Sequence, residues 1–565
     1  MNFFRRETAS LHAAALILGA AALFAKLLGL ARDRLLAARF GAGETLDVYY
    51  AAFQIPDLVY TLLLAGAASA AVLPVFLEYD RRGPEAAGRF ISNLLTVFAL
   101  GGALIAAVAI AFAPRLIAMI APGFGPDEAA LAVRLTRIML LNPILIGVAG
   151  ILSSVLQARH RFFVFALPPV VYNLGIIAGI LAAVPLLGPL GLAYGVVAGG
   201  ALQIMVQLPA VGALGLNLRP RLRFAEPGFV RVLSTALPRV AAIGMSQITL
   251  AALTAIASYF AAGSISVFKF SSNLLYVPVG LFGVSWALAL FPKLSDASLA
   301  REGGVFRDQV AIGIRSILFW VLPAAALAVV LRAHVVRVVL GSGVFDWEDT
   351  RLVAATLAVL AIAIIAESLL PLLLRAFYAL GRTAEPLLWD IAASLVTVAV
   401  AIGLSAFFAA EPSALHAAAR VLRIGDLPAP RILGVAMAFA AGSVLNVVFL
   451  SSALARQTRV RLGVRLSFEG GAIASMAGAS VLAGLAAYAM LIPFPALVAT
   501  NTLPGIFLQG IVAGVAGLLV YGAALAGQGN EEITGLIQSF RQHLLRPDRT
   551  PRVYEAEKLD GESAK

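Results

Sequence analysis

Apolar stretches long enough to cross a bilayer recur fourteen times along this chain, and that leaves few folds open. They cover residues 11–30, 48–77, 90–113, 131–157, 162–184, 190–214, 230–261, 266–291, 310–331, 352–379, 385–409, 431–454, 468–492 and 503–526. A helix rises about 1.5 Å per residue, so roughly 20 apolar residues cross the hydrocarbon layer. Inside lipid every backbone N–H and C=O needs an internal partner, and a helix supplies one locally. With 61% hydrophobic and 13% charged residues, a soluble fold could not cover its own surface. The expected fold class is an all-α polytopic membrane protein of about 14 transmembrane helices.

The first run follows Arg5 and Arg6 and superficially resembles a signal peptide. It is long and lacks a small-x-small cleavage site before a polar start, so it reads as an uncleaved first span. The net charge of +12 fits basic loops on one membrane face better than nucleic-acid binding. With the N-terminus inside, 27 of the 42 Lys and Arg residues fall on the inner side, 10 on the outer side and 5 within spans. Both termini are therefore expected in the cytoplasm. The absence of cysteine excludes disulfides and thiolate metal sites, and the five histidines show no ligand spacing. No metal or cofactor is expected.

An internal repeat divides the chain. Residues 156–173 (LQARHRFFVFALPPVVYN) and 374–391 (LRAFYALGRTAEPLLWDI) match at Leu, Ala and Pro with an offset of 218. Tyr60 and Tyr276 lie 216 apart, and Pro74 and Pro292 lie 218 apart. Six spans per copy is an even number, so the copies share one orientation. Such parallel repeats are related by an axis along the membrane normal and place a site at their interface. The expected units are an N-terminal six-helix lobe (1–220), a C-terminal six-helix lobe (221–460), two additional helices (461–527) and a cytoplasmic tail (528–565). The tail opens with an amphipathic segment presenting Ile533, Leu536, Ile537, Phe540 and Leu544, suited to lie on the inner leaflet.

Charges stand where the bilayer penalises them. Lys26, Arg32, Asp33, Arg34, Arg39 and Asp47 lie within or beside the first two spans. Each charge at membrane depth costs about 2.5–3.5 kcal/mol on insertion scales, so such groups face a hydrated cavity or a partner. Arg34 and Arg39 are near enough to a helix end to reach the interface instead. Lys26 and the Arg32–Asp33 pair are expected to face a cavity.

The same region carries LGLARD at 28–33, FGAG at 40–43, Asp47, AFQIPDL at 52–58 and PVFLEY at 74–79. APGF at 121–124, SQI at 246–248 and FYALGRTAEP at 377–386 follow in order. This series resembles the MurJ/MviN family of lipid II flippases, within the multidrug/oligosaccharidyl-lipid/polysaccharide exporter superfamily. The resemblance implies two six-helix lobes around a central cavity and a groove beside the last two helices for a lipid tail. It implies a flippase carrying a lipid-linked peptidoglycan precursor across the bacterial inner membrane. Its partners would be that precursor, membrane lipids and cell-wall synthesis proteins.

Arg suits a diphosphate through its planar fork. By motif position, Arg32 and Lys26 are expected on the diphosphate, with Asp33 and Asp47 in gating ion pairs or cavity polarity. Two departures weaken cation density: a family arginine pair and a downstream acid fall at Tyr60, Thr61 and Ala65, and an eighth-span arginine falls at Asn273. Lys269, one turn before Asn273, is placed to substitute in part. Coupling to membrane potential or to a monovalent-cation gradient is implied for the superfamily. Asp390 is the candidate cation ligand, with Gln247 and Ser443 or Asn446.

Three alternatives stand beside the flippase: an exporter of another lipid-linked oligosaccharide or a small cation, a non-transporting cell-wall assembly scaffold, and a membrane enzyme. The last lacks paired loop carboxylates, a His/Asp site and a nucleotide-binding loop.

Overall fold

The computed structural model describes residues 11–535 apart from 68, 428–429, 467–469 and 494–501. Arg5, Arg6 and the tail beyond residue 535 lie outside the described residues, as do the side chains of Ala65 and Arg239.

Every regular element among the described residues is helical. The first ten helices are α1 (Leu11–Phe40), α2 (Glu44–Ala67), α3 (Ser69–Asp80), α4 (Pro84–Ile120), α5 (Pro126–Met139), α6 (Asn142–Ala158), α7 (Phe162–Ala166), α8 (Pro168–Ala178), α9 (Val184–Leu187) and α10 (Leu190–Gly212). A second series follows with α11 (Pro227–Ala257), α12 (Ser264–Pro278), α13 (Ser285–Leu299), α14 (Gly303–Val330), α15 (Arg332–Leu340), α16 (Trp347–Ala379), α17 (Ala384–Ala410), α18 (Pro412–Val421) and α19 (Ile432–Leu462). Helices α20 (Gly470–Leu491) and α21 (Leu503–Gly527) end the described fold. Among the described residues eleven helical segments are long and apolar enough to cross a membrane, so the chain is a multi-pass membrane protein. Helices α1, α2 with α3, and α11 occupy the other three expected stretches.

Small residues let the helices of the first lobe approach closely. Gly175 and Gly179 lie against Gly199 and Gly195 with no room for a Cβ on either side. Spacing by four puts these glycines on one face, the arrangement that lets apolar helices gain van der Waals contact in lipid. Gly200 on the same helix approaches the Asn142 side chain, which tightens α10 onto α6. Between α8 and α9 the chain makes a π-helical turn, Gly179–Ala183, and a second such turn, Val279–Val284, joins α12 to α13.

The repeat extends to the corners. Gly83 and Arg301, 218 residues apart, both turn with positive φ between the second and third helical segments of their lobes. A further match escaped the sequence reading: Phe40-Gly-Ala-Gly43 recurs as Phe260-Ala-Ala-Gly263. These two corners meet. Gly263, at φ 90°, leaves no space for a side chain because the Ala42 carbonyl fills it.

That meeting point belongs to a seal between the lobes, at the end of the molecule opposite the start of α1 and the end of α21. The Val344 N–H donates to the Ala38 carbonyl at 3.0 Å, and the Ala42 N–H donates to Asp349 Oδ2 at 3.0 Å. Arg34 Nη1 donates to the Val338 carbonyl at 2.6 Å, and the Gly123 N–H donates to Ser258 Oγ at 3.0 Å. Helices α20 and α21 pack on each other and dock onto α14 and α15 of the second lobe. Tyr521 Oη donates to the Phe319 carbonyl at 2.7 Å, tying α21 to α14.

Candidate functional site

Below the seal, the lobes enclose a cavity of about 480 Å³. Helices α1, α2, α6, α8 and α10 supply most of its wall, and α12 of the second lobe supplies Lys269 and Asn273. Arg32 and Asp33 sit in the final third of α1, where they face the opposite lobe rather than lipid. Arg32 Nε and Nη2 donate to Asp33 Oδ1 at 3.0 and 2.8 Å, and Nη1 donates to Asn173 Oδ1 at 3.3 Å. The second carboxylate oxygen, Asp33 Oδ2, accepts from Asn273 Nδ2 at 2.9 Å. One carboxylate therefore joins a guanidinium of the first lobe to an amide of the second. Arg32 keeps a quarter of its side chain exposed while Asp33 is buried. Arg32 is thus the more open member of the pair.

The rest of the wall is aromatic and amide-rich: Tyr49, Tyr50, Phe53, Tyr60, Tyr172 and Asn142. Asn142 Nδ2 donates to Tyr172 Oη at 3.1 Å, leaving Asn142 Oδ1 buried without a partner among the described residues, as is Tyr50 Oη. Unsatisfied polar atoms cost about 1–3 kcal/mol each, so these two favour a hydrated cavity or a polar ligand. Asp57, whose site role the sequence reading missed, also lines the cavity, with Lys269 acting on it through space. The signal was present as a carboxylate inside an apolar span. The four ionisable acid and base side chains of the wall are Arg32 and Lys269 against Asp33 and Asp57, which balance.

Two expected cavity residues lie elsewhere. Asp47 is buried at the seal, not in the cavity wall, and makes no ion pair among the described residues. Its Oδ1 accepts from the Ser266 N–H at 2.7 Å and from Ser266 Oγ at 2.6 Å, and its Oδ2 accepts from the Gly263 N–H at 2.7 Å. A carboxylate of the first lobe thus caps helix α12 of the second, where unpaired N–H groups and the helix dipole favour a negative charge. Lys26 is exposed and reaches the π-helical turn at Gly280, so it marks the seam between α1 and the second lobe. Of the two family arginine positions, Tyr60 lines the cavity, whereas Thr61 is buried and donates to the Asp57 carbonyl at 2.9 Å.

The candidate cation ligands form a second cluster inside the C-terminal lobe. Asn446 Nδ2 donates to Asp390 Oδ1 at 2.8 Å, and Ser443 Oγ donates to Glu367 Oε1 at 2.6 Å. Glu367 and Asp390 are near enough to repel each other. Gln247 makes no hydrogen bond to this group among the described residues. Glu367, an acid inside an apolar span, joins the group through Ser443, while Arg375, two turns on along α16, donates to the Pro371 carbonyl. Among the described residues no cluster of three or more His, Cys, Asp or Glu is arranged for a metal.

A family model described as lipid II flippase MurJ matches residues 36–512. The chain belongs to the MurJ family. A Burkholderia cenocepacia relative described as lipid II flippase MurJ is 31% identical over 408 residues, covering 70% of this chain and 77% of the relative. A Rhizobium tropici relative described as probable lipid II flippase MurJ is 32% identical over 396 residues, covering 68% and 74%. A solved structure described as lipid II flippase MurJ in an inward closed conformation superposes with a TM-score of 0.70, at 21% identity, covering 94% of this chain and all of that one. An inward-facing multidrug resistance MATE family transporter gives a TM-score of 0.60 at 14% identity, covering 78% and 94%. The two-lobe exporter fold is shared with both. MurJ membership makes the chain a transporter and removes the membrane-enzyme alternative.

Proposed function

We propose that this chain carries lipid II, an undecaprenyl-diphosphate-linked peptidoglycan precursor, from the inner to the outer leaflet of the bacterial cytoplasmic membrane by alternating access. The observation that carries the reading is the Arg32–Asp33–Asn273 bridge. It puts a partly exposed guanidinium at the wall between two lobes, held by a carboxylate whose other oxygen is bound across the lobe boundary. A diphosphate bound by Arg32 competes with Asp33 for the same donors. Loading the cavity then frees Asp33 Oδ1 from its guanidinium brace while Oδ2 stays bound to Asn273, which links occupancy to the cross-lobe contact.

Family names of the relatives support lipid II as cargo. The balanced charge of the wall, with Tyr60 at a family arginine position, favours as second reading a related lipid-linked oligosaccharide of lower anionic charge. On the main reading both termini are cytoplasmic, as the 27-to-10 distribution of Lys and Arg supports. The division at 220 and 460 separates the two moving lobes, and the pair formed by 461–527 offers the isoprenoid tail an apolar groove. The cluster of Glu367, Asp390, Ser443 and Asn446 is assigned to a monovalent cation or proton that drives return, with membrane potential adding about 2.3 kcal/mol per charge per 100 mV. Cell-wall synthesis proteins are its expected neighbours.

The test is rescue of a bacterium depleted of its own flippase, scored by growth and by lipid II exposed at the outer leaflet. Rescue of both is expected. Correct insertion at normal abundance without surface lipid II would sink the assignment.

A further inference from the structure

The linker between the lobes builds a second site at the end of the molecule where α1 begins and α21 ends. Residues 213–226 do not hang free. The Arg219 N–H donates to Ser92 Oγ at 3.0 Å, and the Arg221 N–H donates to Thr96 Oγ1 at 3.0 Å. The Arg223 N–H donates to Asn93 Oδ1 at 2.6 Å, while Asn93 Nδ2 returns a bond to the Arg223 carbonyl at 2.9 Å. Asn93 is fully buried, and Gly88 lets the backbone at Asn217 approach α4. A polar stripe on α4 therefore fixes the linker backbone.

The result is a pocket of about 910 Å³ whose wall includes Arg82, Arg89, Arg221, Arg223, Tyr79 and Glu226. Four guanidinium groups face one carboxylate, a formal charge of +3. Arg82 lies over the Tyr79 ring, 5.0 Å from its centroid, and Tyr79 stacks on Phe90 at 4.7 Å. Arg82 and Arg89 each hold a glutamate four residues before them, Glu78 and Glu85. Arg221 and Arg223 form no ion pair among the described residues. Like charges gathered on a braced backbone repel unless an anion joins them, and arginine forks suit phosphate oxygens.

The same linker strand alternates these arginines with Leu222 and Phe224, 50% and 64% exposed. Val230 and Leu233 on the first turns of α11 add apolar exposure. Basic groups alternating with exposed apolar ones at a span boundary match a surface that enters the headgroup region. We infer that this pocket binds the phosphate of an anionic membrane phospholipid, with Leu222 and Phe224 against the upper acyl chain. The site is separate from the central cavity and shares no residue with it.

The full chain contains no cysteine, so a single Ala225→Cys labelled with an environment-sensitive dye reports on the pocket alone. Short-chain phosphatidylglycerol, short-chain phosphatidylcholine and inorganic pyrophosphate are titrated against the detergent-solubilised protein. Phosphatidylglycerol is expected to bind and phosphatidylcholine to bind about tenfold or more weakly. Arg221→Gln with Arg223→Gln should weaken phosphatidylglycerol about tenfold or more, leaving thermal stability unchanged because the linker is held through its backbone. Asn93→Ala, which keeps every charge but frees the linker, should also weaken it. Equal affinity for both lipids, or no effect of the double arginine change, overturns the inference. Pyrophosphate binding as tightly as phosphatidylglycerol overturns the lipid assignment in favour of a soluble anion.

Discussion

Arg32 is the residue placed to meet the cargo's diphosphate on the proposed reading. Its guanidinium touches Asp33 and Asn173 and keeps an exposed edge toward the cavity. Arg32→Ala removes the proposed diphosphate contact and leaves Asp33 bound only to Asn273 among its side-chain partners. Growth support in the depleted bacterium should be lost at normal membrane abundance, whereas Arg39→Ala, at an exposed position, should be mild. Equal tolerance of both changes would refute the site. Lys269→Gln should lower transport severalfold, and adding Asp57→Asn should restore part of it, because the pair's charges then vanish together. An additive loss in the double variant would show that the two act separately. Arg32, Asp33 and Lys269 were legible because a charge stands out in an apolar span, and Asn273 because the resemblance places a family arginine there. Tyr50, Asn142 and Tyr172 were not, since tyrosine and asparagine cost far less in a helix of lipid depth and leave no comparable mark. Asn173 meets Arg32 across 141 residues of sequence, a distance no local pattern spans.

Among the helices, capping and close packing decide the geometry. Asp47 was readable as a functional acid, but its task is to hold α12 across the lobe boundary. Nothing in residues 44–50 indicates that their capping partner lies 216 residues on. Asp47→Ala removes three hydrogen bonds to a buried carboxylate, two of them from backbone N–H groups. The sealed state should lose about 2–4 kcal/mol, given about 1.5–3 kcal/mol for a charged hydrogen bond and partial replacement by water. A lower Tm and faster labelling of a cysteine placed at Ala42 would report it; unchanged labelling would count against Asp47 as a latch. The glycine contacts make a separate prediction. Gly179→Val forces α8 from α10 and should cost roughly 1–3 kcal/mol or more, lowering Tm and displacing Tyr172 from the cavity wall. The helices themselves were legible from hydropathy. Their break between 139 and 142 and their π-helical turns lie at Pro143, Gly179 and Pro278, residues that mark a local irregularity in the sequence without specifying its form.

For the whole molecule, the repeat in the sequence anticipated two similarly oriented lobes, and the corners at Gly83 and Arg301 carry its offset of 218 into the structure. What the sequence did not disclose is that Phe40–Gly43 and Phe260–Gly263 are equivalent corners closed upon each other. Their contact, with 338–349 laid against the end of α1, shuts one face while the cavity lies behind it. Transport on this account requires that the seal open in every cycle. The most direct measurement uses the cysteine-free chain with Ala38→Cys and Val344→Cys, whose backbones are hydrogen-bonded at 3.0 Å. A short thiol-to-thiol bridge between them should abolish lipid II appearance at the outer leaflet, and cleaving the bridge should restore it. Transport continuing at the unbridged rate in fully bridged protein would contradict alternating access through this seal.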